Sequence, residues 1–204
     1  MLEALDDKIR SVISNRVVFG IILNKKREFS MMKKADIDKK FSELIFCTLT
    51  ANTSAEMGLR CQKCIDDIQL YDRTSLRNTL IACHYRFPNT RSRFISENYE
   101  NRFLLEDILK SQERRELLTE TYLGIGMKEA SHFLRNIGFY EYSILDKHIQ
   151  KFLSNFYGRD VRIKSKKDYE REERYFIEIS SKYGLEPGIM DLVIWYMMTG
   201  KILK

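Results

Sequence analysis

Residues 123–138 read LGIGMKEASHFLRNIG and form the most informative segment of this 204-residue chain. Gly124 and Gly126 flank one apolar residue, between a helical pattern over residues 113–122 and a second one over residues 127–137. Glycines allow such a tight turn between helices at little steric cost. The exposed amides of the turn and the positive end of the second helix dipole can hold one backbone phosphate. On these residues alone, a helical hairpin with glycines chosen for close packing remains the alternative.

A lysine and an aspartate near this turn are candidates for chemistry. Lys128 lies in the first turn of the second predicted helix, where the helix dipole disfavours a cation. A surface lysine is the ordinary interpretation, whereas a partly desolvated, neutral lysine can attack carbon. Asp146 precedes a helix predicted over residues 147–156, where an aspartate is an ordinary N-cap that also holds its carboxylate in place. Spacing alone does not establish that the two side chains act together.

Helical periodicity continues through most of the chain. One clear stripe has the spacing of a core-facing helix and consists of Phe41, Leu44, Ile45, Thr48 and Leu49. Three glycines are predicted to end helices: Gly138, Gly158 and Gly184. Pro187 suits the first turn of a last helix, and no period-2 alternation is long enough for a sheet. We predict an all-α chain of roughly nine or ten helices.

Composition indicates a folded, basic protein. Hydrophobic residues make up 44% of the chain, and the net charge of +6 favours a polyanionic partner such as nucleic acid. No apolar run approaches the ~18 residues that a membrane helix needs, and the N-terminus lacks signal-peptide architecture. We therefore expect a cytoplasmic protein with no membrane segment and with reduced cysteines. Cys61 and Cys64 form a C-x-x-C without a second pair, so we expect no metal and no cofactor.

Several of these segments together resemble a known family. Residues 124–138 and the run ILDKHI at 144–149 resemble the archaeal-type 8-oxoguanine DNA glycosylases, which belong to the helix-hairpin-helix superfamily. The likeness continues in FCTLTAN at 46–52, YRF at 85–87, DLVIWY at 191–196 and TGKILK at 199–204. It spans nearly the whole chain. It implies two helical subdomains flanking a DNA-binding cleft, with double-stranded DNA containing oxidised guanine as the partner.

The resemblance also implies a domain organisation. Residues 1–35 are expected to form an N-terminal helical segment that packs with the C-terminal subdomain. Residues 36–137 are expected to form a barrel-like subdomain that ends in the helix-hairpin-helix motif. Residues 138–204 are expected to form the C-terminal subdomain with the catalytic aspartate and the base-recognition tail. We expect a monomer, because duplex DNA must fill the cleft.

The implied activity is that of a bifunctional glycosylase and abasic-site lyase. By the resemblance, Lys128 attacks C1′ of a flipped-out nucleotide and expels 8-oxoguanine, while Asp146 stabilises positive charge on the sugar. The Schiff base then permits β-elimination, which cleaves the strand 3′ to the lesion. Gly124 and Gly126 are the implied contacts to the DNA backbone.

The resemblance implies recognition roles at five further positions. Asn52 is expected to fill the gap left by the flipped nucleotide, although a residue at a helix C-terminus is an equally good interpretation. Lys204 is expected to help distinguish 8-oxoguanine from guanine, with a frayed tail as the alternative. Trp195 and Phe87 are candidate walls for the flipped base, unless they are core residues. Asp191 is a candidate contact to the base edge.

Two other functions compete with this hypothesis. An endonuclease III-like enzyme would act on oxidised pyrimidines, and such enzymes commonly hold an iron–sulfur cluster with four C-terminal cysteines. No cysteine follows Cys83, which excludes that cluster. A non-catalytic helix-hairpin-helix module would only bind the DNA backbone, and its binding would survive Lys128→Gln.

Overall fold

The computed structural model describes residues 2–66 and 69–204, and its regular structure in these ranges is entirely helical. The first six helices are α1 Leu2–Ser14, α2 Arg16–Met32, α3 Ile37–Thr50, α4 Ala55–Ile65, α5 Arg73–Ala82 and α6 Pro88–Glu100. A 3-10 turn at Arg102–Leu104 follows. The remaining helices are α7 Leu105–Lys110, α8 Arg114–Thr121, α9 Met127–Asn136, α10 Lys147–Tyr157, α11 Lys166–Lys182 and α12 Pro187–Thr199.

The all-α prediction is confirmed, but the expected nine or ten helices were too few. The described ranges contain twelve α-helices, because neighbouring helices are separated by very short breaks. Asn15 alone separates α1 from α2, and its side chain accepts hydrogen bonds from Val17 N and Val18 N, both at 3.1 Å. Such a cap starts a new helix without interrupting the hydrophobic pattern that the sequence shows.

The chain divides into two compact units. Unit 1 comprises Met1–Lys33 and Leu134–Lys204, and unit 2 comprises Lys34–Phe133. Unit 1 therefore contains α1, α2, the end of α9 and α10 to α12. Unit 2 contains α3 to α8 and the start of α9.

Unit 2 is built around α3, which packs against α4, α6 and α7. The buried residues of α3 are Lys40, Phe41, Glu43, Leu44, Ile45, Phe46, Cys47, Thr48 and Leu49. They include all five positions of the stripe predicted from the sequence. They also extend beyond it to the other faces of the helix, which is the pattern of a helix at the centre of a core.

Unit 1 is built around α12, which packs against α1, α2, α10 and α11. Every residue from Pro187 to Ile194 is buried, and Pro187 lies in the first turn as predicted. This apolar helix has only 13 residues. None of the helices in the described part of the chain is both long and apolar enough to cross a membrane.

The helix ends follow signals that the sequence contains. Asp146 is the N-cap of α10, and Gly158 ends α10 with a φ of 63°, in the left-handed region that favours glycine. Gly138 and Gly184 also have positive φ after α9 and α11. These three glycine ends and the aspartate cap confirm the sequence-based predictions for the helix termini.

Candidate active site

The turn between α8 and α9 contains the two glycines predicted to face a phosphate. Gly124 and Gly126 are exposed, whereas Ile125 between them is buried and anchors the turn. Gly124 has a φ of +77°, a conformation that L side chains rarely adopt. The first amides of α9 lack intrahelical acceptors, as at the start of any α-helix, so they can donate to an anion.

Two side chains of α6 contact this turn and fix its position. Asn98 is buried, its Nδ2 donates to Leu123 O at 3.0 Å, and its Oδ1 accepts from Leu123 N at 2.8 Å. A Cβ added at Gly124 would lie 2.5 Å from the Phe94 ring. Both the glycine identity and the position of the turn are therefore fixed by α6.

Lys128 lies in the first turn of α9 with its side chain 32% exposed. Its Nζ forms an ion pair with Glu129 Oε1 at 2.8 Å. Glu129 is largely buried and stands in the same first turn, where the helix dipole favours an anion. The carboxylate thus stabilises an ammonium group at a position that is otherwise unfavourable for a cation.

Asp146 caps α10 and is half-buried. Its Oδ1 accepts hydrogen bonds from His148 N at 2.8 Å and Ile149 N at 2.9 Å. Within the part of the chain that the structure describes, its Oδ2 accepts no hydrogen bond. The cap therefore holds the carboxylate in one orientation and leaves the second oxygen available to a substrate.

Asp191 lies in α12 and is only 5% exposed. Its Oδ2 is 3.7 Å from Nη1 of Arg135, which is also buried. Burial raises the pKa of Asp191 to about 7; Arg135 opposes this shift and the negative charge of Asp146 adds to it. A carboxyl group with this pKa exchanges its proton near neutral pH and can donate or accept a hydrogen bond.

Trp195 lies one turn beyond Asp191 in α12 and is half-buried. Its ring meets the His148 ring edge-on, with the ring centroids 4.7 Å apart. This contact joins α12 to the start of α10 and so places Trp195 near the cap at Asp146. Lys204 is half-buried at the end of the same unit, after the left-handed Gly200 that ends α12.

Phe87 and Asn52 belong to unit 2. Phe87 is half-buried at the start of α6, with the Arg86 guanidinium carbon 4.9 Å from its ring centroid. Asn52 is exposed directly after α3 and has a φ of +62°. This conformation is common for an asparagine that ends a helix, which was the alternative to gap filling at this position. The side chain is also exposed to solvent.

The structure thus groups the predicted residues within each unit. Lys128 and the two hairpin glycines share one turn of unit 2. In unit 1, Asp146 lies at the N-cap of α10, and Asp191 and Trp195 lie in the middle part of α12. No three His, Cys, Asp or Glu side chains in residues 2–66 and 69–204 are grouped in a way that could hold a metal ion.

Three supporting residues were not singled out by the sequence-based reasoning: Glu129, Asn98 and Arg135. The position of Glu129 beside Lys128 was a visible signal, because an acidic residue in a first helical turn suits the dipole. Asn98 and Arg135 offered no such signal. Polar residues on helices are mostly exposed, so the burial of these two follows only from the tertiary structure.

Comparison with known proteins places this geometry in a family. A family model described as 8-oxoguanine DNA glycosylase matches residues 22–185. The chain belongs to this family. The matched range includes the hairpin turn, Lys128 and Asp146, and the resemblance inferred from the sequence is confirmed.

Close relatives extend the match to the full chain. A Picrophilus torridus protein named 8-oxoguanine DNA glycosylase/AP lyase is 44% identical over 99% of this chain and 98% of its own length. A Thermoplasma acidophilum protein of the same name is 42% identical over 98% of this chain and 95% of its own length.

A solved structure of the family agrees with the fold. The Methanocaldococcus jannaschii 8-oxoguanine glycosylase/lyase, crystallised in complex with a 15mer DNA containing 8-oxoguanine, superposes with a TM-score of 0.92. It is 33% identical, and the match covers 98% of this chain and 100% of that one. The fold described above is therefore the helix-hairpin-helix fold of this family.

Proposed function

We propose that this protein is a bifunctional DNA repair enzyme that excises 8-oxoguanine from double-stranded DNA and then cleaves the strand at the abasic site. The observation that carries the proposal is a first-turn lysine directly behind a glycine turn, in a chain that matches 8-oxoguanine DNA glycosylases over its full length. Support also comes from the M. jannaschii relative, whose complex contains DNA with 8-oxoguanine.

Lys128 is the proposed nucleophile. The ammonium first loses its proton, with the Glu129 carboxylate 2.8 Å away as the nearest acceptor. The neutral amine then forms a bond to C1′ of the flipped-out nucleotide as the bond from C1′ to the base breaks. The free oxygen of Asp146 stabilises the positive charge that develops on the sugar. The oxidised base leaves, and the sugar remains attached to Lys128.

The lyase step follows from that covalent intermediate. Opening of the sugar ring gives a Schiff base between Lys128 and C1′, which makes the C2′ proton acidic. Loss of this proton breaks the bond from C3′ to its phosphate oxygen by β-elimination. The strand is thus cleaved 3′ to the abasic site, and hydrolysis of the Schiff base frees the lysine.

Recognition is proposed to come from both units. In unit 2, Gly124 and Gly126 bind a backbone phosphate without reading sequence, and Asn52 fills the gap left by the flipped nucleotide. Phe87 is proposed to form a wall for the flipped base.

In unit 1, the ring of Trp195 is proposed to stack on the flipped base, and Asp191 to contact its polar edge. Lys204 is proposed to favour 8-oxoguanine over guanine. We also propose that the protein acts as a monomer in the cytoplasm.

The function is tested by single-turnover assays on three duplexes that contain 8-oxoguanine, undamaged guanine or an oxidised pyrimidine. The expected result is base release and strand cleavage on the first duplex only. Equal action on the oxidised pyrimidine would instead indicate an endonuclease III-like enzyme. Binding to all three duplexes without base release would indicate a non-catalytic DNA-binding module.

A further inference from the structure

The helix α6 contacts two separate DNA-binding elements of unit 2 through one buried face. Residues 91, 94 and 98 of this helix are spaced so that their side chains lie on the same side. The side chain of residue 98 reaches the hairpin turn, that of residue 91 reaches the loop at Asn52, and that of residue 94 lies between them.

At the hairpin end, Asn98 forms two hydrogen bonds with the backbone of one residue, Leu123. Its amide nitrogen donates to Leu123 O at 3.0 Å, and its amide oxygen accepts from Leu123 N at 2.8 Å. Leu123 directly precedes Gly124, so this pair of bonds fixes the residue at which the turn begins. Because Asn98 is buried, the bonds are protected from competing water.

At the other end, Arg91 holds the loop that presents Asn52. Arg91 is buried, and its Nη2 donates to Ala51 O at 3.0 Å. A second buried bond, from the Tyr85 hydroxyl to Leu49 O at 2.7 Å, fixes the last turn of α3 just before this loop. The left-handed backbone of Asn52 is therefore anchored on the side that precedes it.

Phe94 connects these two ends. The Arg91 guanidinium carbon lies 5.4 Å from the centroid of the Phe94 ring. The same ring fills the space beside Gly124, where a Cβ would lie 2.5 Å from it. A continuous series of contacts thus runs from Ala51 O through Arg91 and Phe94 to the hairpin turn.

A buried arginine in this position needs an explanation. Its Nε is also buried and has no hydrogen-bond partner among residues 2–66 and 69–204. Burying a guanidinium group with an unused donor is costly. An arginine that only filled space in the core would be replaced by an apolar residue at lower cost, whereas one that must reach a loop carbonyl from a helix could not.

We propose that this face of α6 fixes the spacing between the hairpin turn and the Asn52 loop, with Asn98 and Arg91 as positioning residues for phosphate binding and for gap filling. The inference rests on the proposed function, because it needs both elements to contact DNA. A phosphate held at the hairpin then sets where the Asn52 side chain meets the duplex. Neither positioning residue has to touch DNA itself.

Variants at the two ends of this α6 face are expected to affect DNA binding differently. Asn98→Ala is expected to weaken binding of damaged and undamaged duplexes equally. It is also expected to reduce the slope of log affinity against log salt by about 0.9, the value for one lost phosphate contact. Arg91→Met is expected to leave that slope unchanged. It should instead reduce the fluorescence change of 2-aminopurine placed beside the lesion and slow single-turnover excision about tenfold.

A control variant separates these effects from loss of folding. Gln62→Ala removes a comparable amide-to-carbonyl bond, to Ser42 O at 2.8 Å, elsewhere in unit 2. It should change neither the salt slope nor the fluorescence signal. If Asn98→Ala fails to fold, Asn98→Asp retains the acceptor for Leu123 N, loses the donor, and serves the same test.

The connection itself is tested by the double variant of Arg91→Met with Asn98→Ala. The two residues are seven positions apart on α6, about 10 Å along the helix, a distance at which independent effects multiply. Below saturating enzyme concentration, the weaker binding of Asn98→Ala also slows excision. Under these conditions, a shared support predicts that the double variant slows excision by clearly less than the product of the two single effects. A full product, or an unchanged salt slope in Asn98→Ala, would overturn the proposal.

These outcomes remain separate from those of the proposed function. If the wild-type protein does not release 8-oxoguanine, the function fails, while the salt slope on undamaged duplex still measures the hairpin support. If the wild-type protein is active and both variants behave like Gln62→Ala, only the α6 proposal fails.

Discussion

The starts of α9 and α10 have the same backbone setting and opposite side-chain chemistry. Asp146 stands before α10 and accepts hydrogen bonds from two of its first amides. Lys128 lies in the first turn of α9, where the first amides of that helix and its dipole repel a cation. In the first case the residue required for the proposed chemistry also stabilises its helix. In the second it is opposed by the helix, and Glu129 offsets the mismatch with an ion pair at 2.8 Å.

This difference between a favourable and an unfavourable charge shows that a structural role alone could explain Asp146 but not Lys128. An N-cap aspartate contributes about 1 kcal/mol to stability and needs no further reason to be present. A lysine in a first turn loses a few tenths of a kcal/mol to the dipole, up to about 1 kcal/mol. Lys128 is therefore the residue whose position points more strongly to function, and Asp146 requires a test that separates the cap from the chemistry.

Asp146→Asn is expected to give the largest effect. Asparagine caps a helix about as well as aspartate, so α10 should remain folded. The neutral amide cannot stabilise the positive charge on the sugar, and single-turnover excision should slow by about a thousandfold. Gel-based cleavage assays with excess enzyme measure this rate, and anisotropy should show nearly unchanged affinity for damaged DNA.

Asp72→Asn is the matched control for this change. Asp72 caps α5 through hydrogen bonds from Thr74 N and Ser75 N, the same pattern that Asp146 forms with its two amides. Both variants should lose similar, small amounts of stability, and only Asp146→Asn should lose activity. Equal excision rates for the two variants would show that Asp146 only caps α10 and has no role in the chemistry.

Asp191 tests whether the negative charge of Asp146 at the start of α10 acts on its surroundings. The expected effect is on the pH dependence of stability and not on the rate of excision. The folded-state pKa of about 7 lies above the value of about 3.9 for an unfolded aspartate. The free energy of unfolding therefore falls as pH rises from about 4 to about 7, by roughly 4 kcal/mol for a shift of about three pKa units. Urea unfolding at pH 5 and pH 8 measures this loss.

Asp191→Asn removes the titrating group and should flatten this pH dependence. Asp146→Asn should flatten it in part, because the negative charge of Asp146 contributes to the raised pKa of Asp191. If neither variant changes the slope of stability against pH, the two carboxyl groups do not interact as described.

Glu129→Gln is expected to give the smallest effect. It tests the ion pair that stabilises Lys128 at the start of α9. The carboxylate favours the charged amine in the free protein, and only the neutral amine attacks carbon. Its removal should change single-turnover excision by only about two- to fivefold, because a partly exposed ion pair contributes little and water can accept the proton in its place. If excision instead falls by orders of magnitude at every pH, Glu129 is an essential proton acceptor rather than an ion-pair partner.

The sequence predicted much of this molecule because its main signals are local. The glycine turn, the cap at Asp146 and the glycine ends at 138, 158 and 184 depend on a few neighbouring residues, and all have the predicted conformation. The central position of α3 was partly visible in its apolar stripe. The number of helices was underestimated because one-residue breaks such as Asn15 leave the hydrophobic period intact.

The supports of the site could not be predicted in this way. Asn98 reaches Leu123 across 25 positions, and Arg91 reaches Ala51 across 40. Contacts at such separation depend on how the helices pack, which periodicity does not encode. The unusual pKa of Asp191 likewise arises from burial in unit 1. The roles of Lys204, Trp195, Phe87 and Asn52 remain predictions from the family resemblance.

The most direct test of the central claim is borohydride trapping on duplex DNA with 8-oxoguanine, followed by mass spectrometry of the cross-linked peptide. Reduction of the Schiff base should attach the DNA covalently to Lys128, and Lys128→Gln should give no adduct. Lys166→Gln is the control, since Lys166 also lies in a first helical turn with an acidic partner, Glu170, 3.9 Å away. An adduct at Lys128 that Lys166→Gln retains is the predicted result. A wild-type protein that excises 8-oxoguanine without any adduct, or an adduct that persists in Lys128→Gln, would contradict it.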